Sequence, residues 1–126
     1  MDIEPVQPSG MPPPAGHYSP GVAAGGLLFV SGQLPIAPDG THLAHADFAE
    51  QARQALANVD AVLRARGLAR DRLVQVRVYL VDIADWGAFN ALYAEWIGAH
   101  RPARAVVPVP ALHFDLRLEI EAVAVL

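Results

Sequence analysis

Two periods alternate along this chain. Val22-Ala23-Ala24 leads into Gly25-Gly26, and Leu27-Leu28-Phe29-Val30 then runs to Ser31-Gly32-Gln33. A Gly-Gly pair suits a two-residue turn with positive φ, so Gly21 to Gln33 predicts a β-hairpin. Pro38-Asp39-Gly40 reads as a turn. Past Asp47 the spacing becomes helical: Phe48, Ala52, Ala55, Leu56, Val59, Val62 and Leu63 form one apolar stripe. Asp47 is placed to cap this helix, with Glu50 three residues on as in a capping box, and Gly67 suits the position just past its end. Leu73 to Val81 returns to period two. Val74, Val76, Val78 and Leu80 share one face, and Gln75, Arg77 and Tyr79 the other. Asp85 is expected to cap a second helix with Phe89, Leu92, Tyr93, Trp96 and Ile97 as its core stripe. Ala103 to Val109 and Leu116 to Leu126 predict two closing strands. In the last, Leu116, Leu118, Ile120, Ala122 and Ala124 oppose Arg117, Glu119, Glu121, Val123 and Val125.

The predicted order is β-β-α-β-α-β-β, an α+β class with a mixed sheet and both helices on one face. The other face carries Val123, Val125 and Tyr79 among charges, with no third layer to cover it. A half-apolar uncovered face predicts an oligomer. Pro5 to Pro14 is the one Pro-rich stretch, so residues 1–15 are expected to be a flexible N-terminus and residues 16–126 a single domain.

Composition narrows the chemistry. At 126 residues and 53% hydrophobic, the chain has material for one core. No apolar run approaches the roughly 20 residues of a membrane span, and the first residues lack the pattern of a signal peptide, so a cytoplasmic location is expected. There is no cysteine, and arginine supplies all nine basic residues. Thiolate nucleophiles, thiolate metal sites and lysine Schiff bases are excluded. The net charge of −4 argues against phosphate-backbone binding. The local cluster Arg64, Arg66, Arg70 and Arg72 falls at a helix C-terminus, where cations complement the dipole, and Asp60 to Arg64 is an i,i+4 pair. Of His17, His42, His45, His100 and His113, only His42 and His45 are close enough to share a metal, and then only in a loop shaped for it; with no Cys and no carboxylates at ligand spacing nearby, no metal site is expected.

Four places could carry chemistry. Arg104 sits in a strand among Ala103, Ala105, Val106 and Val107, and a guanidinium in apolar company needs a partner. Either it pairs with Glu119 or Glu121 on a neighbouring strand, or its fork grips a small carboxylate. Glu119 and Glu121 share a face about 7 Å apart. They are a solvated pair, or one of them acts as acid-base through a bound water. Ser31-Gly32 at a strand end is an ordinary turn, or a place where a ligand meets the backbone. Tyr18 is an aromatic packed where the chain leads into the hairpin, or a pocket cap.

Together these segments resemble the reactive intermediate deaminase family (Rid, or YjgF-like). The resemblance rests on Gly16-His17-Tyr18-Ser19-Pro20, Leu28 to Pro35, Gln51 to Val59, Val78 to Asp82, Pro102 to Val107 and Leu118 to Ala124, in order. It implies a chorismate-mutase-like fold for a single Rid-like domain, and a homotrimer with sites between subunits. It implies hydrolysis of reactive enamines and imines, such as 2-aminoacrylate, to 2-oxo acids and ammonia, with no cofactor. By that analogy Arg104 binds the substrate carboxylate with the Gly32 backbone, Glu119 positions water, and Tyr18, Ser31 and Val106 line the cleft. Val106 stands where the family often has Cys. His17, Pro20 and the loop Leu112-His113-Phe114-Asp115 also depart from its usual pattern, and Phe114 would enlarge an apolar wall. A non-catalytic binder of small carboxylates is the alternative reading; a ribonuclease, a label sometimes given to the family, fits the acidic chain less well.

Overall fold

The computed structural model describes residues 2–126. Eight regular elements follow in order: β1 (Ile3–Val6), β2 (Gly21–Ala24), β3 (Leu27–Gln33), α1 (Phe48–Ala65), β4 (Leu73–Leu80), α2 (Trp86–Ile97), β5 (Ala103–Pro108) and β6 (Leu118–Val125). The predicted hairpin forms, with Gly25 and Gly26 at φ of 60° and 79°, values that a β-carbon would oppose. The strands make one sheet in the order β1-β2-β3-β6-β4-β5. Only β4 and β5 run parallel, joined through α2; the other pairs are antiparallel.

The core holds alternate residues of the strands, among them Leu28, Val30, Val76, Val78, Leu80, Leu118, Ile120, Ala122 and Ala124. The whole predicted stripe of α1 joins them, with Phe89 and Tyr93 from α2. Each large side chain so buried contributes roughly 1.5–3 kcal/mol. The core residues alternate along β3, β6 and β4 from Val76 onward, and both helices lie on the face they share, as the pattern predicts. Asp47 caps α1, its Oδ1 accepting from the Glu50 N–H at 2.8 Å, and Gly67 follows the helix at φ 68°.

Four local expectations are corrected. The segment expected to be a flexible tail contains β1, paired with β2 from Ile3↔Ala24 to Val6↔Gly21. Pro5 is tolerated because an edge strand leaves one side unbonded, and a Glu4–Arg66 ion pair and the buried Val6 hold the strand down. In β4, a register shift between Leu73 and Gln75 turns Leu73 into the core and leaves Val74 exposed. The cap at the start of α2 is displaced by one turn. The Asp82 carboxylate accepts from the Ala84 N–H, while both carboxylate oxygens of Asp85 accept from Nη2 of Arg117, at 2.9 and 2.8 Å. Asp60 does not serve Arg64: it takes both Nε and Nη2 of Arg70 and the Trp96 indole N–H.

Two buried amides lie outside the apolar pattern and fix the loops that matter below. Gln51 accepts from the Arg117 N–H at 2.9 Å, tying α1 to the start of β6. Asn58 donates to the carbonyls of Leu34 (3.0 Å) and Ile36 (2.9 Å), pinning the chain just after β3.

Candidate functional site

The first group of predicted residues gathers where β3 meets β6. Val30 pairs with Ala122 and Gln33 with Ile120, so β3 carries one extra residue and bulges at Ser31-Gly32. Bulges of this kind re-aim side chains. The segment after Tyr18 locks this one: Ser31 donates its N–H to Pro20 O (2.9 Å) and its hydroxyl to Ser19 O (2.6 Å). Against the bulge lies Glu119. A β-carbon on Gly32 would stand 2.5 Å from its Oε2, so this carboxylate rests on bare backbone that only glycine provides. Burial raises the Glu119 carboxyl above its ordinary value; His113 opposes the shift and Glu121 adds to it. Glu121 itself is engaged, accepting from the Tyr79 hydroxyl at 2.5 Å and from Arg77 at 3.5 Å. Tyr18 is largely exposed, with Gly16 beneath its ring.

The second group lies on β5. Arg104 pairs in register with the buried Val76, so it faces the helices. Its Nη1 donates to Asn90 Oδ1 at 2.9 Å, and its guanidinium carbon stands 4.9 Å from the Tyr93 ring centre and 5.9 Å from that of Trp86. Val106, two residues on, packs beside it against the core. Among the described residues Arg104 makes no salt bridge, so of its two readings the ion pair with Glu119 or Glu121 does not form. The reason is topological: β4 separates β5 from β6. The Tyr93 hydroxyl, beside this cation, is buried with no hydrogen-bond partner among the described residues.

Trp86, Asn90 and Tyr93 are absent from the candidates drawn from the sequence. They recur at i, i+4 and i+7 on α2, and the legible signal was a polar Asn90 within an apolar helix. The arrangement also divides the candidates. Glu119 alternates with the buried Leu118 and Ile120, and so points to the uncovered face. Arg104 points to the helix face. Within one chain the structure brings Ser31, Gly32 and Glu119 together, and separately Arg104 and Val106. It does not bring the two groups together.

Comparison with known proteins bears on what these halves are. Residues 9–126 match the family model described as Endoribonuclease L-PSP. The chain belongs to the YjgF/Rid family. It is 42% identical to a RutC family protein of Pyrococcus horikoshii over 113 residues, 90% of each chain. It superposes on YyfA of Yersinia pestis, a protein of the conserved Rid family, with a TM-score of 0.94, 33% identity and coverage of 99% and 100%. It superposes on TdcF of E. coli, solved with serine bound, with a TM-score of 0.90, 35% identity and 98% coverage of each chain. These likenesses establish the chorismate-mutase-like fold expected from the sequence. Among the described residues no helix is long and apolar enough to cross a membrane.

Proposed function

We propose that this Rid-family chain hydrolyses reactive 2-imino acids and their enamine tautomers, at sites built between copies of itself. The observation that carries the reading is Arg104. Its fork lies over the Tyr93 and Trp86 rings, is steadied by one hydrogen bond to Asn90, and lacks an acidic partner among the described residues. Such a fork matches a carboxylate. The serine bound to TdcF is itself a small carboxylate, which agrees with this role.

The chemistry asks little more of the protein. Water adds to the imine carbon of R–C(=NH)–COO⁻, the C–N bond of the resulting aminoalcohol breaks, and R–CO–COO⁻ and ammonia leave. The imine carbon is already electrophilic, so no side-chain nucleophile is needed, and holding carboxylate and water in register supplies the rate. Glu119 suits the water. Its raised carboxyl proton affinity moves it toward the range in which it can take a proton from water and return it to nitrogen.

Arg104 and Glu119 act in one cleft only if two chains supply them, because they face opposite sides of one sheet. Phe29, Val22, Val123 and Val125 on the uncovered face give the subunit contact an apolar surface, and a homotrimer satisfies it. A ribonuclease role finds less support. Arg66, Arg70 and Arg72 are occupied by Glu4, Asp60 and the C-terminal carbonyls.

Two inactive variants test both halves of the reading. Imines generated in situ by an amino acid oxidase should lose their accelerated hydrolysis with Arg104→Ala and with Glu119→Gln. Unfolded together and refolded as a mixture, the two variants should recover activity, because about a quarter of randomly assembled sites pair an intact Arg104 with an intact Glu119. No recovery in a mixture that light scattering shows to be co-assembled would refute the shared cleft. Unchanged rates in the single variants would refute the deaminase. Saturable 2-oxo acid binding without acceleration of any imine would favour the carboxylate-binding alternative.

A further inference from the structure

The loop before β6 holds a residue in a conformation its type avoids. Phe114 has φ 62° and ψ 26°, and Asp115 follows at φ 55°. A bulky residue in the left-handed region is disfavoured and persists where its surroundings hold it there. Here the holding contact is aromatic. The Phe114 ring stacks on His42 at 3.9 Å and 26°, and lies 5.9 Å from the His113 ring. Even so, Phe114 remains 49% exposed, so burial of its ring does not account for the strained backbone.

The place of this stack in the fold gives it meaning. The loop carrying His42 leaves the end of β3 just after Gly32. The loop carrying Phe114 leads into β6 just before Glu119. Gln33 and Ile120 pair across that same end of the sheet. The His42–Phe114 stack therefore bridges the two loops that flank the Glu119–Gly32 contact. His113 is near enough for its charge to act on Glu119. Both loops are anchored from behind, by Asn58 on Leu34 and Ile36 and by Gln51 on Arg117.

We infer that His42, His113 and Phe114 form an aromatic wall beside Glu119 that selects imino acids with a large planar side chain over the methyl-sized imine of alanine. The inference rests on the imine-hydrolysis reading and names its substrate class. A phenyl group laid on the exposed Phe114 ring gains an offset stack and sheds water, which a methyl group cannot match.

Phe114→Gly removes the ring and leaves a residue at ease at positive φ, so the loop keeps its path. Imines are generated by an amino acid oxidase from phenylalanine and from alanine, and 2-oxo acid release is followed for each. The parent should favour the phenyl imine; Phe114→Gly should lower its kcat/KM about tenfold and leave the methyl imine within about twofold, as loss of one aromatic contact requires. A parallel fall for both imines, no change for either, or a change in oligomeric state by light scattering would overturn the wall. Binding of phenylpyruvate and pyruvate, followed by NMR titration, separates the two readings. If no imine is accelerated, the deaminase reading fails. Tighter binding of phenylpyruvate that disappears in Phe114→Gly would still uphold the wall, and equal binding of the two acids would sink it.

Discussion

Gly32→Ala probes the position of Glu119 without touching a charged group. The backbone at Gly32 does not require glycine for its φ, so the substitution costs little there; the conflict is with the carboxylate alone. A β-carbon would stand 2.5 Å from Glu119 Oε2 and 2.9 Å from its carboxyl carbon, where ordinary contact begins at 3.4 Å. The carboxylate must therefore retreat by about 0.9 Å, and misplacement of about 1 Å can cost on the order of 10²-fold in rate. The assay is kcat/KM for an imine made in situ, with thermal unfolding measured on the same preparation. A loss of about two orders of magnitude is expected, with the Tm falling by no more than a few degrees. A double-mutant cycle isolates the contact: Gly32→Ala should destabilise the parent but not a Glu119→Ala background, where the space is free. A Gly32→Ala protein with parental kinetics, or equal destabilisation in both backgrounds, would refute the close approach.

Two further outcomes follow from the geometry. The Glu119 carboxyl is raised above the glutamate value of 4.5, so the folded protein binds this proton more tightly than the unfolded chain. Its contribution to stability is present at low pH and is lost as pH rises through the folded pKa. Glu119→Gln should then raise the Tm near pH 7 and lose that advantage near pH 4, as scanning calorimetry at the two values would show. Asp47→Ala removes the acceptor for the Glu50 N–H and should cost about 1 kcal/mol by urea denaturation with an unchanged m-value.

Most of the fold was legible because alternation and helical stripes report burial, and burial is what places these elements. The α1 stripe from Phe48 to Leu63 and the core side of β6 are buried residue for residue as their spacing requires. Boundaries and exceptions escaped for local reasons. Val74 is outside the core because a bulge breaks the parity on which the pattern depends. β1 escaped because a four-residue edge strand containing a proline carries almost no periodic signal. The candidate site was legible as single residues. That Glu119 rests on Gly32 is a matter of strand pairing, and so is the wide separation of Arg104 from both, because strand order is set by long-range contacts. Asn90, Tyr93 and Trp86 were hidden inside a helix whose apolar stripe already had a sufficient explanation as core.

The two-sided sheet has a consequence for how such a protein is controlled and how it fails. If the proposed cleft is shared, a single chain has no activity of its own to lose on dilution; what it loses is company. Specific activity should drop steeply below the concentration at which chains associate, and any small molecule gripped by both halves should act as glue, lowering that threshold. On the proposed reading Phe29 and Val123, which carry no chemistry, should be as sensitive to substitution as Arg104. A charge introduced at either should then abolish activity while thermal unfolding shows a chain that still folds.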